Sequence, residues 1–186
     1  MFFDLSDDML IPGRWVLGAL CDSQGRRLND PWQFGTGRTA QYPERVRIKV
    51  ALKGMPLEFS LTGLAIVVVH VRAAEIFHRL APDDIQLIPV DVDGQPDQYL
   101  ILNPTRLVDC IDDKASKEIL RWKPEDGRPE KVGKYRDVYG MRIDPSRVGD
   151  AKVFRTWGWS VAMIVSEEIK EALEAARITG TQFVQV

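Results

Sequence analysis

The chain has 186 residues, 45% of them hydrophobic and 28% charged, with a net charge of −2. That length supports one domain with a real core. The near-neutral balance and the lack of a basic run exclude a strong electrostatic footprint for nucleic acid, and no apolar run approaches a membrane span. The opening MFFDLSDDML carries acids and no basic stretch, so it does not read as a secretory signal. Two cysteines, Cys21 and Cys110, are too few for a disulfide scaffold. The expected location is a reducing cytoplasm, away from membranes.

Residues 1–44 are rich in Trp, Gly and Pro, with turn signals at Pro12–Trp15, Asp22–Arg26 and Asn29–Arg38. Trp15, Trp32 and Phe34 are expected to pin these loops onto the core; an aromatic ligand patch is the sharper alternative. Gly35-Thr-Gly37 opens no helix pattern and fails as a phosphate loop. Val46, Ile48 and Val50 alternate with Arg45, Arg47 and Lys49, a half-buried strand. Leu57, Phe59 and Leu61 alternate again after the turn Lys53–Pro56, which predicts a hairpin-like pair.

The core is expected at Leu64–Val90. Ala65–Val69 reads as a buried strand. Ala73, Ile76, Phe77 and Leu80 then fall at i, i+3, i+4, i+7, one face of a helix that Pro82 stops. Asp83 and Asp84 make the turn into a second strand, Ile85–Val90. The same strand–helix–strand pattern recurs at the C-terminus, shifted by 96 positions without a gap (Gln86 onto Gln182). Val67–Val69 fall on Met163–Val165, and Leu87, Ile88 and Val90 on Phe183, Val184 and Val186. Either hydrophobicity alone aligns two such units, or the chain contains a duplication.

After Val90, Asp91, Asp93 and Asp97 lack the spacing and closing Glu of a calcium loop. A hairpin turn between Leu87–Val92 and Tyr99–Asn103 fits better. Leu107–Ile111 reads as a further strand that buries Cys110 as a small side chain rather than a nucleophile. His70 and His78 belong to no metal or catalytic motif, and no Gly-x-Ser-x-Gly elbow or CxxC is present. No catalytic residue, cofactor or metal is expected.

Residues 112–136 are polar, with a turn at Pro124–Pro129 flanked by Trp122 and Tyr135. The stretch is either a recognition loop or a solvated connection. Tyr139–Pro145 and Gly149–Phe154 predict short strands joined by a turn. Trp157-Gly-Trp159 leads to the last sheet segment before the final helix, Val161–Val165. Ser166 can cap that helix, with Glu167 and Glu168 in its first turn and Arg177 near its end. The whole predicts an α+β fold: mixed sheet or sheets with two strand–helix–strand units, β-hairpins and long ordered loops. It is one domain over 1–186, or two lobes at about 1–111 and 112–186.

Trp122–Arg136, Arg142–Pro145, Val148–Arg155, Trp159 and Ile164–Ile169 form a series of ordered words, together with Pro12–Trp15, Asp30–Trp32 and the Tyr99–Asp112 strand pair. These resemble a family of bacterial immunity proteins of polymorphic-toxin, contact-dependent and type VI secretion systems, closest to the myxobacterial-type immunity domain. The resemblance covers nearly the whole chain and implies a non-enzymatic protein that binds one secreted toxin, encoded next door and often a nuclease, and neutralises it. An inhibitor of a basic nuclease cleft can match it with carboxylates, and interface hot spots favour Trp, Tyr and Arg. The candidate toxin-binding residues are therefore Asp83, Asp84, Asp112, Asp113, Trp122, Glu125, Asp126, Arg128, Tyr135, Arg136, Glu167, Glu168 and Glu171. The alternatives are an adaptor or regulatory module of a secretion locus, and a small-molecule enzyme, which a deep pocket with converging carboxylates would reveal.

Overall fold

Alternation and β-branched runs set where this chain becomes sheet. The computed structural model describes residues 1–42 and 45–186; Pro43 and Glu44, at the end of the Trp-, Gly- and Pro-rich opening, lie outside the described residues. Among the described residues the strands are β1 (Phe2–Asp7), β2 (Val16–Cys21), β3 (Val46–Leu52), β4 (Phe59–Leu61), β5 (Val67–His70), β6 (Ile85–Val92), β7 (Tyr99–Pro104), β8 (Leu107–Val108), β9 (Glu118–Arg121), β10 (Tyr135–Tyr139), β11 (Val153–Thr156), β12 (Trp159–Ser166) and β13 (Thr181–Gln185). Helix α1 covers Val71–Leu80 and α2 Glu167–Ala175. The strands form a six-stranded sheet of order β2-β3-β6-β7-β5-β4, a five-stranded sheet of order β13-β1-β12-β11-β8, and a separate β9–β10 ribbon. The fold is α+β with mixed sheets.

Both strand–helix–strand units form, and they share more than hydrophobicity. In the first, β7 lies between the parallel strands β5 and β6, antiparallel to each; in the second, β1 takes that place between β12 and β13. The registers coincide. Val68 faces Ile101, which faces Ile88; the equivalent residues Ile164, Asp4 and Val184 form the matching row. The strands preceding β5 and β12, namely β4 and β11, also correspond, since Phe59 pairs with Val69 and Val153 with Val165. The helix caps match as well: His70 Nδ1 accepts from Arg72 N at 3.2 Å and Ser166 Oγ from Ile169 N at 3.4 Å. Each unit is thus ββαββ. The second takes its last strand from the N-terminus, as a circularly permuted copy would. Hydrophobicity alone does not fix a four-strand register, so the repeat is one of topology.

The two units meet through their inner faces. Val67, Val69, Leu100 and Leu102 of one sheet, Phe3, Leu5, Met163 and Val165 of the other, and Phe77, Ile169 and Leu173 of the helices share one core. Residues from the opening stretch, with Trp15 and Phe34 fully buried, cover the outer face of the six-stranded sheet. Trp32, expected as an anchor, is instead 60% exposed. The outer face of the five-stranded sheet is covered at β11 and β12 by residues from the 108–148 segment, among them Cys110, Tyr135 and Met141.

Several expectations need correction. β3 and β4 do not form a hairpin: β3 pairs with β2 and β6, and β4 with β5. The intervening turn packs back on Gly13 and Trp15 (Met55 N donates to Gly13 O at 2.7 Å), which carries the chain away from β3. The 107–111 strand shrinks to β8 and one bridge, Ile111 to Ile143. The strand expected from Ala65 starts at Val67, because Ala65 adopts φ +55 in a turn. Of the short strands expected over Tyr139–Pro145 and Gly149–Phe154, the first keeps only the end of β10 and the Ile143 bridge and the second begins at Val153, with the 3₁₀ turn Pro145–Arg147 between them; β9 arises inside the polar stretch expected to be a recognition loop or a connection. Across the sheets, fully buried Arg155 donates to Val161 O (2.7 Å) and Ala65 O (3.1 Å), joining β11 to the turn before β5.

Candidate functional site

The 109–148 segment carries an arm. Its two strands pair with Tyr139 opposite Glu118, Val138 opposite Ile119 and Asp137 opposite Leu120. Side chains alternate across a strand, so the ribbon has two different faces. Ile119 and Val138 pack on the core beneath. Glu118, Leu120, Asp137 and Tyr139 point the other way and are exposed, with Tyr139 at 61% and Leu120 at 46%. The register slips between Tyr135 and Asp137, so Arg136 is bulged out of the ladder. A bulge re-aims a side chain, and here the Arg136 guanidinium reaches Asp126 (3.1 Å) and the face of Trp122 (5.3 Å to the ring centroid).

The arm's base is held by Asp113. Its carboxylate accepts from the Tyr135 hydroxyl at 2.7 Å and pairs with Arg121 at 2.5 Å, while the Arg121 guanidinium stacks 4.2 Å from the Tyr135 ring centre. These hydrogen bonds, Tyr135 first, hold the Asp113 carboxyl below its ordinary range. Burial, with Asp113 second, pushes the Tyr135 hydroxyl up to about 12, so it stays a donor at neutral pH. Asp112 Oδ1 caps the backbone of Lys114 (2.9 Å) and Ala115 (3.1 Å). Beside this cluster lies an open polar cleft of about 420 Å³, with Asp109, Arg147 and Trp157 on its rim. A second groove, about 680 Å³, runs past Asp113, Leu120, Lys123 and Asp126.

At the tip, Asp126 Oδ2 accepts from Lys123 N at 2.8 Å, and Gly127 (φ +68) closes the turn. Trp122 sits between Arg136 and Lys131, the latter 5.2 Å from its ring centre. Glu125 and Arg128 are exposed there. The arm therefore brings together Asp112, Asp113, Trp122, Glu125, Asp126, Arg128, Tyr135 and Arg136 from the sequence candidates.

The remaining candidates lie elsewhere. Asp83 is exposed on a 3₁₀ turn, but Asp84 is buried. Its Oδ2 accepts from Lys152 N at 2.7 Å and Val153 N at 3.2 Å, a structural role that leaves no contact surface. Glu167 lies 3.5 Å from the terminal amine, Glu168 pairs with Lys152 at 2.7 Å, and Glu171 is exposed on α2. Sequence reasoning missed Leu120, Tyr139 and Trp157. The Trp-Gly-Trp word was the available signal for Trp157: Gly158 turns at φ +78, and a Cβ there would lie 2.8 Å from the Tyr135 ring.

Among the described residues no group of three or more His, Cys, Asp and Glu could hold a metal ion. Burial pushes the Cys110 thiol up to about 11, which keeps it a poor nucleophile. Among the described residues no helix is long and apolar enough to cross a membrane. A model of the Immunity protein family (Imm11) matches residues 7–186. The chain belongs to this family. No curated protein matches it. Imm11 membership makes this an immunity protein directed at a toxin, and the family match spans the arm, the first ββαββ unit and the second from β11 to β13, reaching only the last residue of β1.

Proposed function

We propose that this Imm11 protein binds a secreted bacterial toxin in the cytoplasm of the producing cell and neutralises it by laying the arm over the toxin's substrate-binding surface. The toxin is a nuclease effector of a polymorphic or type VI system, encoded by the adjacent gene. The observation that carries this reading is the outward face of the β9–β10 ribbon. Leu120 and Tyr139 lie on one diagonal of this face, with Asp137 opposite Leu120, Glu118 opposite Tyr139 and the Lys117 amine 5.2 Å from the Tyr139 ring centre. An aromatic anchor with a charged rim is the anatomy of a binding hot spot. The arm over 118–139 holds six Lys and Arg against five Asp and Glu, so the match to a basic, phosphate-binding cleft rests on Glu118 and Asp137 of the outward face. The reading dispenses with catalysis by the chain itself.

The test is capture from the native host with this chain tagged, followed by co-expression of the recovered partner and a growth assay. A stoichiometric partner whose toxicity the chain suppresses is the expected result. If the chain captures no protein and a small molecule co-purifies instead, the immunity role fails.

A further inference from the structure

The two ββαββ units differ in what covers their outer faces. In the first, an extended piece of the chain lies over β6 and β7 and is gripped by side-chain amides. Gln86 Oε1 accepts from Ala40 N at 2.9 Å and Gln86 Nε2 donates to Ala40 O at 3.0 Å, as a neighbouring strand would. Asn103 Nδ2 donates to Arg38 O at 2.9 Å and to Gln86 Oε1 at 3.1 Å. Register places Gln182 where Gln86 stands, and Ser6 where Asn103 stands: Gln86 pairs with Asn103, and Gln182 with Ser6. The second unit thus repeats the grip, an amide beside a small polar side chain. There Gln182 is exposed and Val184, the counterpart of Ile88, is 55% exposed.

One substitution in the pattern is informative. Ile101, fully buried at the centre of the first face, corresponds to the carboxylate Asp4 in the second. Asp4 lies in the row of Ile164 on the outer face, whereas the buried cation Arg155 pairs in register with Met163 on the inner side of the sheet. Arg155 attracts the half-buried Asp4 carboxylate from there, although among the described residues the two form no direct ion pair. We infer that the outer face of β1 and β13, at Asp4, Ser6, Gln182 and Val184, is a second docking site. Its occupant is an extended, cation-bearing segment of the toxin. This rests on the immunity reading for the identity of the occupant. The shape of the segment comes from Arg38–Ala40 in the other unit, and its charge from Asp4.

The probe is a synthetic peptide of residues 35–42, GTGRTAQY, the segment that fits the equivalent face and carries one arginine. Titrated into ¹⁵N-labelled full-length protein, it is expected to shift the amides of Ser6, Gln182 and Val184 saturably, with a Kd on the order of 1 mM. Gln182→Ala removes the amide and weakens binding about three- to tenfold. Val184→Lys, at an exposed position, places a competing cation beside Asp4 and abolishes binding without altering the fold. Absence of saturable shifts at these amides, or binding indifferent to both substitutions, overturns the site. With the captured toxin, affinity lost in Val184→Lys supports the assignment of occupant. Affinity unchanged in both variants, while arm variants weaken it, refutes this surface and leaves the immunity role standing.

Discussion

Arg177 shows how a single residue can sit against its own backbone preference. Ile178 N donates to Leu173 O (3.0 Å) and Arg177 N to Glu174 O (2.9 Å), the paired bonds of a Schellman end to α2, with Leu173 and Ile178 buried together. Arg177 occupies the left-handed position at φ +52, where glycine has no Cβ to clash. Arg177→Gly is expected to stabilise the protein by about 0.5–1 kcal/mol, read from urea denaturation. The sequence offered Arg177 only as a cation near a helix end, because the residue type does not report a dihedral angle. Asp4 supplies a pH-dependent test. Burial raises its carboxyl to about 6 despite the attraction of Arg155, against 3.8 for the ordinary group. A folded-state value above the unfolded one gives a contribution fully present below pH 3.8 and lost as pH rises through 6. Asp4→Asn removes that loss. It is expected to stabilise by about 1–3 kcal/mol at pH 8 and to make no difference at pH 3.5. Equal stabilisation at both pH values would show that ionisation of Asp4 is not the cause.

At the scale of elements, the arm was legible in composition and hidden in geometry. The polar run with Trp122 and Tyr135 reads as either a recognition loop or a solvated connection, and period-two alternation over Glu118–Arg121 is too short to announce a strand. The Arg136 bulge cannot be read from residue types at all. The false β3–β4 hairpin has the same origin: alternation reports a strand and says nothing of its partner. The helices and the strands beside them were legible because β-branched runs and 3.6-residue periodicity persist long enough to be unambiguous. The arm's two faces make separable predictions. Leu120→Ala with Tyr139→Ala touches only exposed side chains, so folding stability should shift by no more than about 0.5 kcal/mol. Toxin affinity should fall by about tenfold or more if these are hot-spot residues. Isothermal titration beside thermal denaturation separates the two effects. Gly158→Ala acts from below, placing a Cβ against Tyr135 in a left-handed turn. A cost of about 1–3 kcal/mol is expected, with faster amide exchange concentrated at 118–139. Uniform exchange across the molecule would mean that Gly158 serves the global fold and not the seating of the arm.

For the whole molecule, the decisive feature is that β1 belongs with the C-terminus. In the first unit β6 and β7 are joined by a hairpin through Asp93–Gln98; in the second, the matching strands β13 and β1 are the two ends of the chain. Those ends are adjacent, since Val186 N donates to Phe2 O at 3.2 Å. No local pattern in Phe2–Asp7 foretells that its partners lie some 160 residues later. This geometry permits a circular permutant in which a linker of about three to five residues joins Val186 to Met1 and new ends open at Gly127–Arg128. The cut falls in an exposed turn at the arm's tip, outside both ββαββ units. Joining the ends turns β13–β1 into a hairpin, the connection its counterpart already has. The permutant should therefore fold cooperatively, with an unchanged near-ultraviolet spectrum and stability within about 2 kcal/mol of the original. A severed tip should meanwhile weaken toxin protection through the loss of order around Trp122, Asp126 and Arg136. A permutant that fails to fold would mean that the break between β13 and β1 is needed to assemble the five-stranded sheet, so that the two units, alike in register, differ in how they are built.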